Sequence, residues 1–184
     1  MTVGNSTKFG QNRQITFGLP AMSFHFDRLS VLIVEDNMQM RLLIAQVLKA
    51  MGVGRISQAD GGERALALIR TNKPDIIITD WLMEPMDGLE LTRRIRQDPK
   101  SPARLAPIIL MTGYSAHSRV TQARDTGVTE FLVKPFTADA LAKRIAHVIT
   151  LPRDFIAAPK YTGPDRRRKH DGNYKGPRRR DGDA

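Results

Sequence analysis

The stretch "PDIIITDWLMEPMDG" covers residues 74–88. Ile76, Ile77, Ile78 and Thr79 make an unbroken β-prone run, so residues 75–81 read as a strand buried on both faces. Asp80 falls at its carboxyl end, and Pro85 and Gly88 open a turn soon after. A carboxylate at the mouth of a core strand costs desolvation free energy unless something compensates it. The compensating group has to come from elsewhere in the chain.

Working outward, the same kind of run recurs. "SVLIVED" (30–36) is a short apolar run that ends in two acids. Residues 38–52 carry Met40, Leu43, Ile44, Val47, Leu48 and Met51 at helical spacing, with Asn37 as N-cap and Gly52 as stop. A weak strand at 55–60 precedes a helix at 61–73, which Pro74 closes. Beyond the opening stretch, the pattern predicts a helix at 88–98 and a strand at 106–113. A polar helix at 118–127 follows, then a strand at 129–136 and an amphipathic helix at 138–149. Strands and helices alternate five times, and the strands are continuous apolar runs. This predicts a doubly wound α/β domain over about residues 27–151, with its ligand site outside the carboxyl ends of the strands.

Those ends carry a consistent chemistry. They place Glu35 and Asp36, Asp80, Thr112, and Lys134 followed by Pro135 on one edge. Three carboxylates together repel, and a hard divalent cation relieves that; Mg2+ suits one or two carboxylates with waters and phosphate oxygens. Lys134 adds a point charge and Thr112 a hydroxyl, a set able to hold a phosphoryl group carried on Asp80 as nucleophile. An acid at a strand end is usually only a turn residue, so Asp80 gains its role from the other four.

"VLIVEDN", "PDIIITDWLMEPMDGLEL", "PIILMTGYS" and "FLVKPF" resemble, in order and separation, the motifs of bacterial response-regulator receiver domains. The resemblance covers about residues 29–150. It implies a flavodoxin-like, five-stranded parallel sheet of order 2-1-3-4-5. It also implies that Asp80 is the phosphoacceptor, with Thr112 and Lys134 on the phosphoryl oxygens. Mg2+ would be held by Asp36 and Asp80 directly, by Glu35 through water and by the backbone carbonyl of Leu82. Phe131 takes the aromatic switch position, where Tyr is common, and the Lys134–Pro135 bond is expected to be cis. The phosphoryl group would come from a histidine kinase or phosphotransfer protein. The chain would then be no turnover enzyme, but a phosphoacceptor that catalyses its own phosphoryl transfer and loss. Leu82 and Tyr114 stand where receivers flank the attacking water; both are bulky and neither is acidic, which implies slow autodephosphorylation.

The 184 residues contain no cysteine, which excludes disulfides, thiolate zinc sites and a cysteine nucleophile. Apolar runs stay far below the about 20 residues of a membrane span, and the N-terminus lacks signal-peptide character. A cytoplasmic protein with no membrane insertion is expected. The net charge of +10 splits as +2 over residues 1–26, +3 over 27–152 and +5 over 153–184, so it describes a tail more than a fold. Residues 1–26 read as a flexible arm. Residues 152–184, rich in Gly, Pro, Arg and Asp, read as disordered and too short for a helix-turn-helix output domain.

The tail repeats itself: "YTGPDRRR" (161–168) and "YKGPRRR" (174–180) share Tyr-x-Gly-Pro and an Arg run. It reads as solubilising chain, as a docking segment for an acidic partner, or as a nucleic-acid binder that stacks Tyr and pairs Arg with phosphates. The five interspersed acids count against the last. The reading reached here is a stand-alone response regulator that acts by phosphorylation-dependent binding of an unidentified downstream protein. Its rival is a nucleic-acid-binding regulator. His25, His117, His147 and His170 are too scattered for a metal site, and Gly61–Gly62 lacks the spacing of a phosphate loop.

Overall fold

A computed structural model describes residues 26–113, 123–158 and 161–165. A short 3-10 turn at Phe26–Arg28 leads into β1 (Ser30–Val34), α1 (Met38–Ala50), β2 (Arg55–Ala59) and α2 (Gly62–Asn72). Then come β3 (Ile76–Asp80), α3 (Gly88–Gln97), β4 (Ile108–Thr112), β5 (Glu130–Val133) and α4 (Ala138–Thr150). The five strands form one sheet in the order β2-β1-β3-β4-β5, with every pairing parallel. The chain is therefore doubly wound, as its alternating elements predict, with the flavodoxin-like strand order that the resemblance implied.

The continuous apolar runs follow from burial on both faces. Val31, Ile33, Ile76, Ile78, Ile109 and Met111 point to one side and pack with Ile44 and Leu48 of α1 and Leu141, Ile145 and Val148 of α4. Leu32, Val34, Ile77 and Ile108 point to the other and meet Ile69 of α2 and Leu91 and Ile95 of α3. Ile76, Ile77 and Ile78 are at most 1% exposed, and each such side chain contributes about 1.5–3 kcal/mol by leaving water. Trp81, Leu89, Leu110, Ala123 and Val128 form a third cluster, joined by the half-buried Phe131.

Local chemistry fixes the helix ends. The Asn37 side chain accepts from Met40 N at 3.0 Å, Asp87 from Glu90 N at 2.7 Å and Thr137 from Ala140 N at 3.1 Å. Gly52, at φ +85°, follows the C-cap of α1, a left-handed position that suits glycine. Residues 123–126 are helical and end at Gly127, φ +100°. The rest of the helix expected at 118–127 lies outside the described residues, as do Tyr114, His117 and all of the arm expected at 1–26 except Phe26, which begins the 3-10 turn. The Lys134–Pro135 bond is cis, as expected; Glu84–Pro85 is also cis, which the sequence did not signal.

The expectation of disorder from residue 152 onward is corrected over its first part. Phe155–Ala158 (β6) and Tyr161–Pro164 (β7) form an antiparallel hairpin, closed by Asp165 N donating to Asp154 O at 2.7 Å. Composition alone hides its apolar anchors: Phe155, Ile156 and Tyr161 are half-buried, and Gly163, Pro164 and Asp165 are buried. Arg96, at the end of α3, places its guanidinium carbon 5.7 Å from the Phe155 ring centroid. Arg153 donates to Glu130 at 3.1 Å. The first Tyr-x-Gly-Pro unit is thus packed onto its own domain. The second, at 174–177, lies outside the described residues.

Candidate functional site

Five of the expected site residues stand where a strand ends. Glu35 and Asp36 follow β1, Asp80 is the last residue of β3, Thr112 the last of β4, and Lys134 follows β5. β1 is paired with β2 on one side and β3 on the other, so successive crossovers leave it in opposite directions. This is the switch point at which an open α/β sheet leaves a crevice. Parallel register keeps the carboxyl ends level, with Val34 opposite Thr79, Asp80 opposite Met111 and Thr112 opposite Val133.

The question raised by Asp80 is answered by Lys134. Its ammonium lies 3.0 Å from Asp80 Oδ1 and donates to Glu35 Oε2 at 2.9 Å. Asp80 Oδ1 also accepts from the Trp81 amide at 2.9 Å. Glu35 is 2% exposed and Asp80 8%, so these contacts act where solvent screens little. Burial raises the Glu35 pKa and the nearby Asp80 charge adds to this, while the hydrogen bond from Lys134 opposes it. Burial alone would lower the Lys134 pKa, but its hydrogen bonds to Glu35 and Asp80 outweigh that and raise it. The site is thus a half-buried cation held between two buried carboxylates.

Asp36 is exposed and completes the set: carboxylate oxygens of Glu35, Asp36 and Asp80 lie within 4.8 Å of one another. Three oxygen donors so close, only one of them at the surface, fit a small hard cation, and Mg2+ suits such a donor set. Leu82 stands in the turn beyond Asp80 with its side chain 54% exposed. Thr112 is buried, and its carbonyl accepts from the Lys134 amide at 2.7 Å, which ties β4 to the residue bearing the ammonium. Phe131 lies on β5 opposite Leu110 and against the Trp81 cluster.

Two supporting residues escaped the sequence reading. Arg41 on α1 donates to the carbonyl of Glu35 at 2.6 Å and more weakly to that of Asp36 at 3.4 Å, bracing the acidic pair from behind. Its partners are backbone atoms, so no motif announces it. Gly88 starts α3 against the back of Asp80; a Cβ there would lie 2.1 Å from the Asp80 carbonyl oxygen. The glycine was legible as a turn, but the close approach was not.

Comparison with known proteins agrees with this fold. Residues 31–146 match the family model described as "Response regulator receiver domain". The chain is 32% identical over 120 residues to the chemotaxis protein CheY of Pseudomonas aeruginosa, covering 65% of this chain and 95% of that protein. It is 33% identical over 127 residues to the transcriptional regulatory protein PdtaR of Mycobacterium tuberculosis, covering 69% of this chain and 60% of that one. Among solved structures, the chemotaxis response regulator CheY4 of Vibrio cholerae superposes with a TM-score of 0.61 at 29% identity, over 65% of this chain and 98% of that one.

Proposed function

This chain belongs to the response-regulator receiver family, and we propose from that premise that it is a signalling switch set by phosphorylation of Asp80. The observation that supports this best is Lys134 bridging Asp80 and Glu35, with Asp36 beside them. The donor is a phosphohistidine on a histidine kinase or phosphotransfer protein. An Asp80 carboxylate oxygen attacks phosphorus, a P–O bond forms, the P–N bond breaks, and the electron pair leaves on the imidazole nitrogen. Lys134 follows the charge from the carboxylate to the phosphoryl oxygens, and the Thr112 hydroxyl donates to one of them.

Mg2+, held by Asp36, Asp80, the Leu82 carbonyl and, through water, Glu35, would neutralise charge on the transferring group. Exposed apolar side chains border the site in sequence, with Met38 at 64% and Leu82 at 54% exposure, and they offer contact area to a protein donor. The phosphorylated form acts by binding a downstream protein. The phosphoryl group is lost slowly, and the cysteine-free chain works in the cytoplasm. Among the described residues no helix is long and apolar enough to cross a membrane. The nucleic-acid reading rests on the Arg runs at 166–180, which lie outside the described residues.

The test is chemical. Incubation with acetyl phosphate and Mg2+ should add one acid-labile phosphoryl group, located on Asp80 by peptide mass mapping. Asp80→Asn should abolish it while preserving the circular dichroism of the fold. Equal labelling of that variant would overturn the assignment.

A further inference from the structure

The hairpin that follows the receiver body is seated on the last turn of α3 and on the turn at Gly127. Its two anchors are Arg96 and Gly127. Arg96 donates through Nε to the Gly127 carbonyl at 3.1 Å and through a terminal nitrogen to the Arg104 carbonyl at 2.6 Å, with Phe155 stacked over it. Gly127 meets β7 backbone to backbone. A Cβ on Gly163 would lie 2.8 Å from Gly127 Cα, and a Cβ on Gly127 would lie 3.0 Å from the Thr162 carbonyl oxygen. The contact therefore tolerates very little displacement of the Gly127 turn. Glu130 holds the hairpin a third time, through Arg153.

All three attachment points connect to Asp80 through packed structure. Asp80 accepts from the Trp81 amide, and the Trp81 side chain packs with Ala123, Val128 and Phe131. Ala123 and Val128 bracket the Gly127 turn, and Glu130 and Phe131 are neighbours on β5. On the other side Gly88 abuts the Asp80 carbonyl and begins α3, the helix whose last turn carries Arg96. Any rearrangement that repacks Ala123, Val128 or Phe131 moves the surface on which Gly163 sits.

We propose that the Phe155–Asp165 hairpin is a clasp that binds the unphosphorylated arrangement of the domain and is loosened when Asp80 is phosphorylated. The inference rests on the phosphorylation assigned to Asp80 above. Its release would free the first Tyr-x-Gly-Pro unit. A ligand that favours one of two arrangements is favoured in turn by that arrangement, and to the same factor. Phosphorylation that loosens the hairpin must therefore be made easier by loosening the hairpin.

The experiment uses the full chain and Mg2+ with beryllofluoride as the phosphoryl mimic. Saturation of Asp80, followed by fluorine NMR, should raise amide hydrogen exchange at residues 155–165 by about fivefold or more, the lower end of ordinary site-to-site coupling. Conversely, Gly163→Val, which cannot seat against Gly127, should bind beryllofluoride about fivefold more tightly than the parent. Phe155→Ala, which uncovers Arg96 without a steric clash, should shift affinity in the same direction. Exchange that stays unchanged or slows with Asp80 saturated overturns the clasp alone, as does unaltered affinity in both variants. Absence of beryllofluoride binding at Asp80 overturns the phosphorylation reading, and the clasp with it.

Discussion

Lys134 Nζ stands 3.0 Å from Asp80 Oδ1 across the carboxyl ends of two strands that are not neighbours in the sheet. The strand between them, β4, ends in Thr112, whose carbonyl accepts from the Lys134 amide at 2.7 Å. One backbone hydrogen bond thus sets where the ammonium starts, and its length lets it reach Asp80 and Glu35 together. The cation offsets the cost of burying both carboxylates.

Removing that cation should be felt in stability before it is felt in chemistry. Lys134→Met keeps the apolar stem and leaves Glu35, 2% exposed, facing Asp80 without a counter-charge. A buried pair broken on one side costs about 3–5 kcal/mol, and the partial exposure of Lys134 reduces this to about 1–2 kcal/mol. The melting temperature should fall by several degrees, and Mg2+ should restore more stability in the variant than it adds to the parent, because a divalent cation can replace the lost charge. A variant as stable as the parent without Mg2+ would show that Lys134 does not compensate the acids.

Metal binding should depend on the exposed acid. Ligand at ten times its dissociation constant stabilises a native state by about 1.4 kcal/mol. Thermal melts of the parent with rising Mg2+ should show a stabilisation of this order. Asp36→Ala removes one of the three carboxylates gathered within 4.8 Å, and the Mg2+ midpoint should rise about tenfold or more. Equal midpoints for the two proteins would place the metal elsewhere.

Most of this site was legible because its residues mark strand ends, and strand ends are what apolar periodicity locates best. Asp80 after three isoleucines and Lys134 before Pro135 could be read as converging before any coordinates. Arg96 and Arg41 were not legible, since each acts through backbone carbonyls and so lacks a complementary residue in the sequence. The hairpin was misread for a related reason. Gly, Pro and Arg dominate residues 152–184, and composition averages away the few side chains that matter, Phe155, Ile156 and Tyr161. The shared Tyr-x-Gly-Pro was read as solubilising or as docking on a partner, but its first copy packs on this domain: the Tyr161 hydroxyl donates to the Pro164 carbonyl at 2.5 Å and closes the unit on itself.

Arg96 should behave as a structural fastener. It is 1% exposed, and burial lowers its pKa to about 10, so it stays charged at neutral pH. Arg96→Met keeps much of the bulk but deprives the Gly127 and Arg104 carbonyls of a donor. Hydrogen bonds from a charged group contribute about 1.5–3 kcal/mol each, offset here by no longer burying a charge. The expected net loss is about 2 kcal/mol in chemical denaturation. Arg96→Met of equal or greater stability would mean that the buried charge costs as much as its hydrogen bonds return.

The lifetime of the phosphorylated state should be set in part by Leu82. Its side chain stands two residues beyond Asp80, at the surface, and in the expected geometry it borders the approach of the attacking water. A bulky apolar group there neither orients nor activates that water, so hydrolysis of the acyl phosphate should be slow. Leu82→Ala opens the approach and should speed decay several-fold, and Leu82→Asn, which can also hydrogen-bond the water, should speed it further, to about tenfold. The measurement is the decay of labelled protein after the phosphodonor is removed, with Mg2+ present throughout and the initial labelling of each variant recorded separately. Because Leu82 contributes a backbone carbonyl and no side-chain atom to the proposed metal site, Mg2+ midpoints should stay close to the parent value. Identical decay in all three proteins would show that the side chain at this position does not limit water access.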